Sequence, residues 1–260
     1  MKSLEIETSN RGKVDMMLAG IDLAWKNEKN PTAVSIGELS GHHLNVTGIH
    51  PALSGLNELK SIILLQEELY GVAIDAPLVM QNSFGQRHCE RQVSVDFGGR
   101  GASCHSSNLE RYPNPAGVEL SRHLESLGFE HLRHADNGKF QIECYPHPAI
   151  IEIFSLPKRL AYKKGPTDAK KQGQVILSNY IKALGRSNVI SLSIIDEFQT
   201  YLDHSYIRSL SGEALKTNED VLDSIICVYI AALFSHSVPH KCYGSVEDGY
   251  IYVPKQPCVN

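Results

Sequence analysis

The amino-acid sequence predicts an α/β domain built around a mixed β-sheet, and three observations support this. Short apolar runs, several of them rich in β-branched residues, alternate with segments whose apolar residues recur at helical spacing. Two of these runs are joined by such a helical segment, which predicts parallel pairing through a right-handed crossover. The chain has 260 residues, 42% of them hydrophobic, which is enough to bury one full core. We therefore expect one domain over residues 1–260.

The predicted sheet has five strands, of which the first three form an antiparallel meander with a tight turn at Gly41. The first strand carries the apolar run MMLAGI, which indicates burial on both faces and a central place in the sheet. The five strands are predicted at residues 14–22, 32–36, 43–49, 71–75 and 140–145.

Helices are predicted to flank this sheet, and one long connection interrupts the regular order. Residues 1–13 are polar and predict a loose N-terminal arm, while residues 77–138 predict an elaborated insertion after the fourth strand. Gly71 is expected to cap the first helix, and Asp248-Gly249 indicates a hairpin near the C-terminus. The helices are predicted at residues 53–70, 117–127, 168–184, 193–203 and 218–234.

Four acidic residues lie where a buried segment should avoid charge. Asp22, Asp75 and Glu143 each follow a short apolar run, and Asp223 lies inside a nearly all-apolar helix. A lone carboxylate is costly in such surroundings, because it loses its hydration without gaining a partner. If the four acids converge from separate segments, a divalent cation is the natural compensating charge. The pattern therefore predicts a metal-dependent enzyme with these four residues as its catalytic acids.

The chemistry that suits such a site is phosphodiester hydrolysis by two Mg²⁺ or Mn²⁺ ions, which stabilise the attacking and leaving oxygens. Asp22 and Asp75 are expected side by side at the ends of parallel strands, with Asp220 and Asp223 completing the metal site from a helix. Glu143 is predicted either to bind a metal or to orient a residue that does.

Each of these assignments has a structural alternative. Asp22 and Asp75 are also compatible with turn residues that bond their own backbone at a strand end. Asp220 is equally well explained as the third residue of a helix capped by Thr217. Glu143 is also compatible with an ion pair at a strand end. Asp223 lies beyond any cap, so no local explanation covers it.

Three further residues are candidates for contact with the substrate. Arg87 and Arg100 lie in the long insertion and suit bidentate contact with phosphate, although solvated surface arginines are the common alternative. His147 suits phosphate binding or proton transfer, against a hydrogen-bonded structural role. The basic segment 158–171 predicts mainly a solvated face, including Lys163 and Lys164, with contact to a nucleic-acid backbone as the lesser alternative.

Composition limits the partners and the compartment. The net charge of −4 argues against non-specific wrapping of long nucleic acid, but it permits a local basic groove. The six cysteines contain no CxxC pair, which favours reduced thiols in the cytoplasm. The chain has no apolar run of the roughly 20 residues needed to cross a bilayer, and no apolar signal core. We expect a cytoplasmic protein with a nucleic-acid partner and no membrane contact.

Three antiparallel strands, a helix, parallel strands and a C-terminal helix that carries an acid follow the order of an RNase H-like fold. Five motifs occur in this order along the chain: GIDLAW at 20–25, AIDAP at 73–77, Arg87 with Cys89-Glu90, ECYPHP at 143–148, and Glu219-Asp220 with Asp223-Ser224. With these motifs the chain resembles, over most of residues 15–255, a family of domains of unknown function that are predicted to be RNase H-like nucleases. This resemblance implies a nuclease with an RNase H-like mixed five-stranded sheet flanked by helices.

Two functions from other classes remain open. One is a binding module for nucleic acid or a nucleotide, in which the same fold keeps the acids but no longer catalyses. The other is an ATP-dependent phosphotransferase of the actin and sugar-kinase kind, whose subdomains share the topology. Such enzymes usually need two copies of the core and a phosphate loop rich in Gly and Thr, whereas Leu23-Ala24-Trp25 follows Asp22 here.

Overall fold

The structure, a computed structural model, describes residues 15–25 and 31–259. The predicted N-terminal arm over residues 1–13 lies outside these ranges. Seven strands of the described residues form one mixed sheet. In spatial order they are β5 (Glu130–His131), β6 (Phe140–Glu143), β4 (Leu69–Asp75), β1 (Met16–Asp22), β2 (Thr32–Ser40), β3 (His43–Leu53) and β7 (Ser191–Ile194).

The sheet combines an antiparallel meander with parallel strands on both sides. Strands β1, β2 and β3 pair antiparallel, as predicted, while β4 joins β1, β6 joins β4, β5 joins β6 and β7 joins β3 in parallel. The predicted central position of β1 is confirmed. The described sheet has seven strands where five were predicted, because the edge strands β5 and β7, of two and four residues, are too short to give a periodic signal.

Helices cover both faces of the sheet. Helices α1 (Gly55–Leu65) and α3 (Ala116–Ser126) pack on one face, where their leucines join the apolar core. The other face is covered chiefly by α4 (Pro146–Ile153), α5 (Thr167–Ala183) and α7 (Gly212–Ser235). A third cluster joins α2 (His88–Phe97) to the hairpin β8 (His240–Ser245) and β9 (Gly249–Pro254), and α6 (His204–Ser209) is a short helix before α7.

Several element boundaries differ from the prediction. Gly71 lies inside β4 instead of capping a helix, and residues 196–202 form a 3₁₀ helix in place of the predicted α-helix. Helix α7 begins at Gly212 after the N-cap Ser211, earlier than predicted. The predicted hairpin near the C-terminus is confirmed as β8 and β9. None of the described helices has the length and apolar character needed to cross a membrane.

Strand β1 alternates between the two faces of the sheet, and this alternation orients the residues near its end. Leu18 packs in the cluster beneath α7, whereas Ala19 and Ile21 pack toward α1 and α3. Gly20 therefore faces α7, and a Cβ placed on it would lie 2.0 Å from the backbone nitrogen of Val228. The missing side chain lets the backbones of β1 and α7 approach closely, which brings α7 over the end of β1.

We expect Gly20→Ala to lower the free energy of unfolding by about 1–3 kcal/mol, because the methyl group overlaps backbone atoms of α7 that cannot move independently. Gly48→Ala is the matched control, since its Cβ would meet only the Ile36 side chain at 3.4 Å. The control should change stability by less than about 1 kcal/mol. Urea unfolding measures both, and equal losses would contradict the close approach of α7 to β1.

Candidate functional site

Two aspartates lie side by side where neighbouring parallel strands end. Asp22 is the last residue of β1 and Asp75 the last of β4, and the two are direct partners in the register of the strands. Because successive side chains of a strand alternate between faces, Asp22 shares the face of Leu18 and Asp75 that of Ala73. Leu18 and Ala73 both belong to the cluster beneath α7. Both carboxylates therefore lie on the α7 side of the sheet.

Helix α7 adds two more carboxylates at this place. Asp223 is completely buried, and Asp220 is 3% exposed. Asp220 lies close enough to Asp22 for each carboxyl group to affect the acidity of the other. Electrostatic interactions connect Asp22 with the three other residues. We call Asp22, Asp75, Asp220 and Asp223 the aspartate cluster.

Burial and repulsion between neighbouring charges raise the pKa of Asp22 and of Asp75. Burial, with the neighbouring charges of Asp220, Asp223 and Asp75, raises the pKa of Asp22 well above its usual value. Burial raises the pKa of Asp75 to about 7, and Asp223 and Glu143 add to this effect. The positive charge near these two carboxylates therefore does not fully offset the effects of burial and of the neighbouring negative charges.

Two lysines supply part of that positive charge, and sequence reasoning missed both. Lys163 forms an ion pair with Asp223, whose other oxygen accepts a hydrogen bond of 2.7 Å from Tyr162. Lys216 donates to Asp220 at 2.5 Å and to Glu219 at 2.8 Å. Burial by itself would lower the pKa of Lys163, but the negative charges around it prevail and hold that pKa well above its usual value.

These contacts correct two expectations. Lys163 was predicted to belong to a solvated face, but it points into the aspartate cluster and only 23% of its side chain is exposed. One predicted role of Asp220 was that of the third residue in a helix capped by Thr217. Helix α7 begins at Gly212, however, so both residues lie inside the helix and neither caps it. The spacing of Lys216 four residues before Asp220 is a sequence signal for their ion pair. No local signal identifies Lys163.

Glu143 lies apart from the aspartate cluster. In the parallel register of β4 and β6 its partner is Ile74, so its side chain points to the opposite face from Asp75. Its two oxygens accept hydrogen bonds from the guanidinium of Arg87 at 2.5 and 2.9 Å, and one also accepts from the backbone N–H of Leu78. Arg87 also donates to Glu90 at 2.9 Å, which makes a buried triad of one arginine and two glutamates.

The predicted substrate residues have different surroundings. Arg87 is 3% exposed and is held by its two glutamates, although it lines the main cavity. Arg100 pairs with Glu152 at 2.7 Å and does not line that cavity. His147 does line it, and its buried Nδ1 has no hydrogen-bond partner among the described atoms. Contact of these three residues with a substrate stays a prediction.

A cavity of about 700 Å³, which we call the cleft, opens beside the aspartate cluster. Asp22 and Asp75 lie at one wall together with Lys163, and the long insertion supplies much of the rest. The volume falls within the range of small-molecule binding sites. Other residues that line the cleft include Trp25, Tyr145, His147, Arg159 and Lys164.

The aspartate cluster fits a divalent cation in donor type and in charge. Mg²⁺ and Mn²⁺ prefer oxygen ligands. Because Glu219 shares Lys216 with Asp220, the four carboxylates of the cluster and Glu219 face only two lysines, which leaves three negative charges uncompensated when all are ionised. Across residues 15–25 and 31–259, however, no three His, Cys, Asp or Glu side chains are arranged to hold a metal ion as they stand. In this arrangement Lys163 is the cation bonded to Asp223.

The raised pKa of Asp75 predicts how the stability of the fold depends on pH. The folded protein holds the Asp75 proton up to about pH 7, whereas the unfolded chain releases it near pH 3.8. Stability from this proton is therefore complete below about pH 4 and is lost as the pH rises toward 7. We expect Asp75→Asn, which cannot ionise, to flatten this decline in the free energy of unfolding.

Urea unfolding across this pH range measures the effect. Asp136→Asn is the control, because that side chain is 73% exposed and should leave the pH dependence as it is. An Asp75→Asn protein with the slope of the parent would show that Asp75 ionises normally in the fold.

The fold and this site define an α/β protein in which three buried aspartates and the half-buried Asp22 form a cluster at the edge of a cleft. The chain belongs to the family described as "Protein of unknown function (DUF429)", whose model matches residues 20–247. Comparison with curated proteins and with solved structures finds no significant match to either.

Proposed function

We propose that the protein is a metal-dependent phosphodiester hydrolase that acts on nucleic acid. One observation carries this proposal: β1, β4 and α7 bring the four carboxylates of the aspartate cluster together beside an open cleft. Structural roles explain single acids poorly here, because burial without enough positive charge raises the pKa of Asp22 and of Asp75. Function at a cleft is a better explanation of such an arrangement than stability.

The aspartate cluster would hold Mg²⁺ or Mn²⁺, and the ion would stabilise the charge that develops on the phosphate oxygens. Binding requires Asp223 to exchange its ion pair with Lys163 for the metal. Tyr162 orients Asp223 through its hydrogen bond at 2.7 Å. Burial, together with nearby cations, lowers the pKa of His147 well below its usual value, so this residue enters the cleft as a neutral hydrogen-bonding group.

We also propose that the sheet is an elaborated RNase H-like fold. The antiparallel β1, β2 and β3, the crossover through α1 to the parallel β4, and the C-terminal α7 support this topology. The predicted nuclease link rests on the same order of elements. All six cysteines are free thiols, which supports a reducing compartment such as the cytoplasm.

A second function has a specific observation in its favour. The ion pair of Lys163 with Asp223, and that of Arg87 with Glu143, already neutralise two of the predicted catalytic acids. A binding module for nucleic acid or nucleotides, with no catalysis, would keep such pairs closed. The two functions differ in their need for a divalent ion: the hydrolase binds the ion and requires it for cleavage, whereas the binding module does neither.

The test is a cleavage assay on labelled single- and double-stranded DNA and RNA, with Mg²⁺, Mn²⁺ or EDTA, and with and without ATP. We expect cleavage that depends on the metal and does not need ATP. Asp22→Asn and Asp223→Asn keep the side-chain shapes and remove the charges of two proposed metal ligands. Each should lower the rate by at least the roughly 10- to 100-fold that follows when only a partner of a metal ligand is lost. The exposed Asp136→Asn should cleave as the parent does.

Thermal unfolding supplies an independent measurement. Millimolar Mg²⁺ or Mn²⁺ should raise the melting temperature of the parent, because a ligand that binds only the folded state stabilises it. Asp223→Asn should lose most of that increase. If divalent ions leave the melting of the parent unchanged, or if Asp223→Asn cleaves at the parental rate, the hydrolase proposal fails and the binding module is the better explanation.

A further inference from the structure

The cleft contains positive charges that the aspartate cluster does not use. Arg159 and Lys164 both line it and belong to the loop between α4 and α5. Within residues 15–25 and 31–259, neither side chain forms an ion pair with an acid, in contrast to Lys163 and Arg87. We call Arg159 and Lys164 the cationic wall. Unpaired cations beside a cleft are available to an anionic ligand.

The position of Arg159 is set by contacts that leave its charge unpaired. Its backbone N–H donates to the carbonyl of Arg100 at 2.9 Å. Its side chain crosses Gly101, so that a Cβ built on that glycine would lie 3.3 Å from Nε of Arg159. Gly101 has φ of +78°, a conformation that favours glycine and keeps this surface free. A guanidinium held in place is suited to planar, bidentate recognition of phosphate.

The cationic wall acts on the same part of the cleft as His147. Burial is the main reason that the pKa of His147 is low, and the charges of Lys163, Arg159 and Lys164 lower it further. The charges of the cationic wall are therefore close enough to His147 to affect its protonation. An anion at this place would also meet a neutral imidazole that is 6% exposed and whose buried Nδ1 has no partner in the described structure.

We propose that the cationic wall binds a phosphate of the substrate, and that the cleft takes a phosphate ester of nucleotide size, either free or within a single strand. This deepens the function proposed above and rests on it. The cavity of about 700 Å³ lies within the range for small ligands, which suits a nucleotide or part of a single strand better than a rigid double helix. Trp25 and Tyr145 line the same cleft and offer aromatic surfaces to a base.

The experiment measures binding without cleavage, in EDTA and at low ionic strength. The probes are thymidine 5′-monophosphate, a short fluorescein-labelled single strand, and the same strand annealed to its complement. The test variant is Arg159→Gln/Lys164→Gln. Its control is Lys158→Gln, which changes the charge of an exposed residue in the same loop that does not line the cleft. Thermal melting verifies that each variant is folded.

We expect the parent to bind the monophosphate or the single strand more tightly than the duplex. The double variant should bind about 10- to 100-fold more weakly, as expected for the loss of charge-assisted hydrogen bonds, and Lys158→Gln should bind within about twofold of the parent. Preference for the monophosphate identifies a free nucleotide as the ligand, and preference for the longer probe identifies a single strand.

Three results would overturn the inference: a folded double variant that binds as the parent does, a parent that binds the duplex at least as tightly as the single strand, or a parent that binds none of the probes. Failure of the hydrolase proposal is distinguishable from these. A parent that cleaves nothing with Mg²⁺ or Mn²⁺, but whose binding depends on the cationic wall, loses the catalytic proposal and keeps this one.

Discussion

Arg87→Met is expected to destabilise the protein by about 3–5 kcal/mol, because it leaves two buried carboxylates without their shared cation. The side chains of Arg87, Glu90 and Glu143 are only 2–3% exposed, so water cannot replace the lost charge. Methionine keeps much of the volume, which separates the loss of charge from the formation of a cavity. Urea unfolding at neutral pH measures the change.

The matched control is Arg100→Met, which breaks an ion pair whose arginine side chain is 34% exposed. Such a partly solvated pair should contribute only about 0–1 kcal/mol. Adding Glu143→Gln to Arg87→Met should recover part of the stability, since it removes one of the two buried carboxylates that Arg87→Met leaves unpaired. Equal losses for Arg87→Met and Arg100→Met would show that the triad is not a stabilising feature of the core.

Lys163→Met is expected to lower the free energy of unfolding by a similar amount, about 3–5 kcal/mol, when no divalent ion is present. The substitution removes the cation that is bonded to the completely buried Asp223. If the aspartate cluster binds a divalent ion, Mg²⁺ should then stabilise this variant more than it stabilises the parent, because the ion replaces the lost charge without displacing a lysine.

Two variants control this experiment. Lys163→Arg keeps the charge and should retain more stability than Lys163→Met, whereas Lys164→Met removes an exposed charge and should stay within about 0.5 kcal/mol of the parent. Thermal and urea unfolding in EDTA measure the stability lost in each variant, and the same measurements with Mg²⁺ give the stabilisation by the ion. A Lys163→Met protein as stable as the parent in EDTA would contradict the role of Lys163 as the counter-charge of the cluster.

Local sequence patterns were sufficient for the strands that carry the site. The apolar run before Asp22 predicted a buried central strand, and the run before Asp75 predicted its parallel neighbour. Both predictions are confirmed by the sheet. They succeeded because a buried strand needs consecutive apolar residues, and because a helical crossover places the ends of parallel strands at the same edge.

The face of each strand that a residue occupies is harder to predict, and Glu143 shows why. Its apolar run predicts a strand as well as those of Asp22 and Asp75 do, but its register partner is Ile74, not Asp75. A shift of one residue in register moves every side chain of a strand to the other face. Register follows from packing between strands, so the sequence around Glu143 does not show that it meets Arg87.

The sequence by itself determined the order of the main strands and the central place of β1. It also determined that an aspartate is the last residue of both β1 and β4, because all of these features depend on the spacing of residues along the chain. Only the tertiary structure decided which cations meet the acids. Arg87 reaches Glu143 across 56 residues, and Tyr162 with Lys163 reaches Asp223 across about 60. No periodic pattern encodes such contacts, because they depend on which loop the packing of α7 and the sheet leaves beside the carboxylates.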